Sequence, residues 1–331
     1  MIRPALWRYF LRRLAQVLPV LFGIAALNFL ILQIAPGDVV DVLAGEAGAA
    51  TPEYMAALRR SFGLDQPLLL RFAHYLWNLA QLQLGFSFRQ NMPVQELILT
   101  RLPATLLLML SALVIAVVLG ALLGVIAAAR VHSWIDSAIS GLVLLTYAVP
   151  TFWLGLMAIV LFSAGLGWLP SGGMVTVGAD LHGGALAGDV LAHLLLPALT
   201  LSTFYLAVYT RLVRGAMLEL HGADFIRTAR AKGAPEWRVT LLHAFRNALL
   251  PMVTMLGYQA ASLLSGAVLV ETVFSWPGLG RLAFEAIRAR DLNLLLGILF
   301  FSSILVTLVN LAVDLLYVAI DPRVDLQARR S

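Results

Sequence analysis

Apolar residues in this chain gather into long unbroken runs separated by shorter polar intervals. Six runs are long enough to cross a bilayer. They predict membrane helices over Leu14–Ala35, Pro103–Ala129, Ile135–Leu166, Val190–Thr210, Pro251–Phe274 and Leu294–Ile320. A helix needs about 20 residues, at ~1.5 Å each, to span the ~30 Å hydrocarbon core. The third run exceeds one straight crossing, and Pro150 inside it predicts a kink or a split. Halves of about 15 residues would each fall short of a span, so the run counts once. The pattern is that of an all-α polytopic membrane protein with six transmembrane helices.

The longest polar interval with a helical pattern is Gly222 to Pro251, flanked on both sides by apolar runs. It reads as helix, turn, helix. Asp224 suits the positive end of the first helix. Arg230 and Lys232 make a basic last turn, and Gly233 fits the position just past the helix end, where positive φ is needed. Pro235 opens the second helix, where its missing N–H costs nothing. Trp237, Leu241, Phe245 and Leu249 recur every four residues and predict one apolar stripe. The segment is either an amphipathic connector or a docking surface for a partner.

Pro36 to Leu102 is the other long polar interval. Thr51-Pro52-Glu53 starts a helix that runs to about Phe62. Gly63 to Pro67 is a turn, and Leu68 to Leu84 is a second amphipathic helix carrying Phe72, Tyr75, Leu76 and Trp77. This interval is a packed cap on the membrane helices or a small soluble subdomain. Between the last two runs, Pro277, Gly278 and Gly280 predict a sharp turn, with Phe274 and Trp276 suited to the membrane interface.

Composition narrows the class. Of 331 residues, 60% are hydrophobic and 12% charged, far from a soluble domain. The N-terminal run is too long for a signal-peptide core and lacks a small-x-small site, so it reads as an uncleaved anchor. With both termini inside, fifteen of the 23 Lys and Arg fall on the inner side and eight outside, which sets the orientation. There is no cysteine, so disulfides and thiolate metal sites are excluded, and no basic run interleaved with aromatics suggests nucleic acid.

Polar side chains inside the runs are the candidate pathway. Thr203, Tyr205 and Tyr209 lie in the fourth run, and Tyr258, Gln259 and Ser262 in the fifth. Gly257, Ala261 and Ser265, spaced by four, allow close helix approach. Asn310 and Asp314 share a face of the last run, where a carboxylate serves either a proton or cation or a packing contact. There is no G-x-x-x-x-G-K-[ST] phosphate loop, no H-E-x-x-H and no metal-ligand spacing among the six histidines.

Several strings carry a resemblance. RTARAKG from Arg227, followed by RVTLLHAFRNALLPMVT from Arg238, resembles the cytoplasmic loop of importer-type ABC permeases, and more narrowly of the dipeptide/oligopeptide/nickel permease family. Gly233 and Ala229 match the Gly and second Ala of the general importer pattern. Arg227 and Thr228 replace its Glu and first Ala, and Phe245 and Arg246 stand in place of its Leu-Pro. PGD from Pro36, GLDQP from Gly63, LGFSF from Leu84, VFSWPGLGRL from Val273 and NLAVDLLYVAIDPR from Asn310 are similar to strings of the same family, with Val39 where the family often has Pro.

The resemblance implies a type I ABC importer permease fold in a bacterial inner membrane. It implies a translocation pathway for di- or oligopeptides, or alternatively nickel, glutathione or another small solute. A secondary transporter would need paired intramembrane charges or inverted repeats, which the sequence lacks. By the same resemblance, Asp224, Phe225, Arg227, Thr228, Ala229, Arg230, Lys232 and Gly233 form the loop that docks on an ATPase, with the small Ala229 against the partner. Phe274, Trp276, Pro277, Gly278 and Gly280 form an external gate that meets a binding protein. The implied partners are a homologous second permease, two cytosolic ABC ATPases, a periplasmic or lipid-anchored solute-binding protein and membrane lipids. ATP and Mg belong to the ATPases, and no cofactor or metal belongs to this chain. The expected organisation is an N-terminus and first helix over 1–35 and an external segment over 36–102. A five-helix core follows over 103–320, with coupling loop 211–250 and external loop 275–293, and then a cytoplasmic tail over 321–331.

Overall fold

The computed structural model describes residues 4–34, 40, 51–61, 63–220 and 222–320. The PGD string, Val39 and the tail from Asp321 lie outside the described residues. The fold is helical as expected, with one two-stranded hairpin besides. Two compact units divide the chain: Met1–Thr100 with Ala283–Leu308, and Arg101–Leu282 with Val309–Ser331.

In the first unit, α1 is Pro4–Ile34, α2 is Pro52–Ser61 and α3 is Leu68–Ala80. Thr51 caps α2 as its sequence predicts, its hydroxyl accepting from Tyr54 N at 3.3 Å. β1 (Phe86–Ser87) pairs antiparallel with β2 (Met92–Pro93). This hairpin is pinned to the start of the last helix. Asn293 Nδ2 donates to Phe86 O at 3.3 Å, and the Ser87 hydroxyl donates to the buried Asp291 carboxylate. Asp291 also caps that helix, accepting from Leu294 N at 3.1 Å. Asn28 of α1 is buried and donates to Leu296 O at 3.2 Å, satisfying a polar group at membrane depth.

The remaining elements are α4 (Val94–Ala129), α5 (Trp134–Ala148), α6 (Thr151–Ala158, continuing as a π-helical turn over Ile159–Gly165) and α7 (Gly184–Leu220). After them come α8 (Asp224–Ala231), α9 (Glu236–Arg238), α10 (Arg246–Val273), α11 (Leu279–Ala289) and α12 (Leu292–Ile320). The expected third crossing is broken at Pro150, and its two halves bend by 104°. A proline removes an N–H and clashes with the preceding turn, so the helix stops at Ala148 and restarts at Thr151.

The expected six crossings are not all confirmed among the described residues. Among the described residues four single helices are long and apolar enough to span, and the bent pair makes five if it is one span. The sixth expected crossing lies in α10, which is 28 residues long, but its described residues do not combine the length and apolarity of the others.

The second unit is held at its centre by close backbone approach. A Cβ on Gly120 would lie 2.7 Å from Tyr209 Cβ, and one on Gly124 would lie 2.7 Å from Val213 Cβ and 2.8 Å from Thr210 O. Two glycines four residues apart thus let α4 seat against α7, the small-xxx-small device of membrane helices. The similar spacing of Gly257, Ala261 and Ser265 falls on residues whose side chains lie outside the description. Next to the glycine contacts on α7, Arg214 makes a forked ion pair with the buried Asp136 of α5, at 2.7 and 2.8 Å. Asp136 also accepts from His132 N at 3.2 Å.

Gly120→Leu and Gly124→Leu are expected to destabilise the purified chain by the ~1–3 kcal/mol typical of overpacking. Gly141→Leu, where an added Cβ meets nothing within 4 Å, should leave it unchanged. The thermal midpoint in detergent measures this, and equal midpoints for all three would remove the close-approach account.

Candidate functional site: an elbow and a distal turn

The elbow is α8, α9 and the turn between them. Asp224 stands in the first turn of α8, and Thr228 Oγ1 donates to Asp224 O at 2.8 Å. The helix ends as its sequence predicts. Gly233 has φ 77°, Gly233 N donates to Arg230 O at 2.9 Å, and Ala234 N donates to Ala229 O at 3.1 Å. That pair of bonds is the Schellman ending, which satisfies the last carbonyls of the helix. Nothing crowds Gly233, so the positive φ alone selects glycine there. Arg230 then reaches across the turn to Glu236 with bonds of 2.9 and 3.2 Å. The hydrogen bond to Glu236 raises the pKa of the Arg230 guanidinium and keeps it charged.

One expectation reverses here. Ala229, expected against a partner, is 8% exposed and packs inward with Ile226 in the chain's own core. The outward face of α8 consists of Phe225, 42% exposed, with Asp224, Arg227, Thr228 and Lys232.

The apolar stripe expected on the second helix faces away from the chain's own core. Trp237 is 59% exposed, and Leu241 and Leu249 are exposed as well, with Phe245 half-buried. The buried positions are Val239, Ala244, Ala248 and Met252. The step from Val239 to Ala244 is five residues because Val239–Phe245 is a π-helical turn, which carries i→i+5 bonds. The helix then continues through Pro251 without a break, so Glu236 to Val273 is one rod.

At the far end of the rod is the distal turn, between α10 and α11. Phe274 and Trp276, expected at the membrane interface, are instead among the most deeply buried side chains. Trp276 Nε1 donates to Ala104 O of α4 at 2.8 Å. The organising group is Glu271, fully buried in α10. Its carboxylate accepts from Thr105 Oγ1 at 2.7 Å and from Arg281 N at 3.0 Å, so it holds the first turn of α11. Thr105 in turn accepts from Leu279 N at 2.7 Å.

The glycines of the turn follow from this. A Cβ on Gly278 would collide with the Glu271 carboxylate, and one on Gly280 would lie 2.5 Å from Val268 Cα. The loop after α6 crosses the same turn, with Gly173 N donating to Phe274 O at 2.8 Å and Gly172 too close to Phe274 O to carry a side chain. Of the expected gate residues, Phe274, Trp276, Gly278 and Gly280 are therefore inside, and Pro277 is half-buried.

The pathway candidates separate. Tyr205 and Gln259 are buried, Thr203 and Ser262 are half-buried, and Thr203 Oγ1 bonds its own helix at Thr200 O, 2.8 Å away. Tyr209 is sealed against Gly120 with no hydrogen-bond partner for its hydroxyl among the described residues. The side chains of Tyr258 and Asp314 lie outside the description. Sequence reasoning missed Glu271, Thr105, the Asp136–Arg214 pair and Gly120. Two of these left a signal that could have been read: Glu271, a carboxylate inside the fifth apolar run, and the Gly120–Gly124 spacing.

Thr105→Val strips a donor from Glu271 and an acceptor from Leu279 N, each worth about 1–3 kcal/mol when left buried. Gly278→Ala displaces the carboxylate itself. Trypsin should cut both variants after Arg281 faster than the parent chain, and unchanged rates would show that this network does not hold the turn.

Comparison with known proteins places these features. Residues 120–326 match the binding-protein-dependent transport system inner membrane component, and residues 6–109 match the N-terminal component of such membrane proteins. The dipeptide transport system permease protein DppB of Escherichia coli K12 is 41% identical over 334 residues, covering 96% of this chain and 98% of that one. The di/tripeptide transport system permease protein DppB of Pseudomonas aeruginosa is 42% identical over 329 residues, covering 95% and 97%. A chain of the MetNI methionine ABC transporter, solved in inward-facing conformations, superposes with a TM-score of 0.55 at 19% identity, over 68% of this chain and 96% of that one. That likeness supports the fold alone. The chain therefore belongs to the binding-protein-dependent transport system inner membrane component family, as a multi-pass permease of the ABC importer class with the type I fold.

Proposed function

We propose that this chain lines half of a translocation pathway for di- or oligopeptides and couples it to cytosolic ATPases. The observation that carries the substrate class is near-full-length similarity, at 41% and 42% identity, to two permeases named for dipeptide and di/tripeptide transport. A second homologous permease completes the pathway, and a solute-binding protein delivers the peptide outside. Two ATPases hold ATP and Mg. The excess of Lys and Arg on one side puts both termini and α8 in the cytoplasm.

The elbow and the rod supply the coupling. The Schellman ending and the Arg230–Glu236 fork hold α8 rigidly at one end of the helix that runs from Glu236 to Val273. At ~1.5 Å per residue that rod is about 57 Å long, enough to span the membrane. Displacement of α8 by an ATPase is carried along it to Glu271 and the distal turn. The two end states of such a motion differ in which contacts each favours.

Phe225 is the exposed aromatic of α8 and the anchor for the ATPase. Phe225→Ala is expected to cost about 2 kcal/mol, roughly 30-fold in affinity. Gly233→Val, which strains the left-handed turn, should leave the protein in the membrane but uncoupled. Co-purification of the ATPases and peptide uptake are the readouts. Full ATPase recovery with normal uptake in both variants would reduce α8 to a connector.

Orientation has its own check. Reporter fusions at Ser171 should read outside and at Gly233 inside. An inside reading at Ser171 would invert the arrangement of the bent pair.

A further inference from the structure

The helix α3 does not stand clear of the membrane segment of α1. Ala15–Ile34 is apolar enough to span, and its exposed Leu18, Phe22, Leu27 and Leu30 are lipid-facing surface. Phe72 of α3 sits between two rings of that segment, 5.9 Å from Phe22 and 5.1 Å from Phe29, and Tyr75 lies 5.6 Å from Phe29. Measured along α1, Phe29 is about 8 Å and Phe22 about 18 Å below the Ile34 end. These contacts put α3 at hydrocarbon depth.

The side chains of α3 sort into three strips at helical spacing. Phe72, Tyr75 and Leu79 are its covered strip. Leu69, Ala73, Trp77 and Ala80 form a second strip that is bare, with Leu69 83% exposed, Trp77 65% exposed and Leu70 exposed beside them. Arg71, His74 and Asn78 form the third and are the polar ones. A soluble cap would turn its polar residues along the whole uncovered arc. Here most of that arc is apolar and continues the lipid-facing surface of α1.

We propose that α3 is an interfacial helix embedded in the leaflet at the Ile34 end of α1. Leu69, Leu70, Ala73 and Trp77 lie among acyl chains, and the Arg71–His74–Asn78 strip turns to headgroups and water. Long basic side chains reach the interface from such positions. This does not depend on which side of the membrane that leaflet faces; in the orientation proposed above it is the external one.

The chain has no cysteine, so Leu69→Cys, His74→Cys and Trp77→Cys can each be spin-labelled without background. The full chain is reconstituted in phosphatidylethanolamine–phosphatidylglycerol vesicles, and collision rates with oxygen and with a water-soluble nickel chelate are measured. Labels at 69 and 77 are expected to favour oxygen and the label at 74 to favour nickel. Nickel preference at 69 and 77 would put the helix in water and overturn the proposal. Exclusion of both reagents at 69 and 77 would overturn it too, because protein would then cover the strip. Collision preference reports depth and not side, so a reversed topology would show in the fusion reporters and leave this result intact.

Discussion

A carboxylate with no access to water must find its hydrogen-bond donors inside the protein, and one end of the second unit is arranged around one that does. Glu271 is reached by the Thr105 hydroxyl of α4 and by the Arg281 N–H in the first turn of α11. Those donors exist only if α4, α10 and α11 meet at one point. The glycines at 278 and 280 are required there because the carboxylate and the backbone of Val268 occupy the space a side chain would take. Trp276 is drawn under the turn and bonds the carbonyl of Ala104. The string that marks this turn in the sequence therefore encodes a buried polar junction, with its aromatic residues as the packing around it.

The same rod that carries Glu271 begins at the elbow. A helix of this length transmits displacement well as long as it stays stiff. The π-helical turn at Val239–Phe245 lies next to the elbow, and single turns of this kind occur mostly inside α-helices at functional sites. It also re-aims the side chains by one residue, bringing the small Ala244 and Ala248 inward and leaving Trp237 and Leu241 outward.

Features set by neighbouring residues could be read from the sequence. The end of α8 was legible because Arg230, Lys232, Gly233 and Pro235 act within one turn of one another, and the break at Pro150 was legible for the same reason. The apolar runs announced helices because membrane length is a local constraint. What escaped depends on partners far along the chain. Thr105 and Glu271 are 166 residues apart, and Asp136 and Arg214 are 78 apart. Nothing in the local pattern tells a satisfied buried carboxylate from an exposed one. The buried face of the helix after Glu236 escaped for a different reason: a single π turn shifts register without any change in composition.

Two buried carboxylates stand in the second unit, Glu271 at the turn before α11 and Asp136 against Arg214 of α7. α4 and α7 meet through close glycine contacts at Tyr209, Thr210 and Val213, beside that ion pair. The two kinds of contact constrain the unit differently. The glycine contacts fix how closely two backbones approach, and a side chain there would push them apart. A buried hydrogen-bonded carboxylate is either paired or costly, because losing one partner leaves the other unsatisfied in low dielectric.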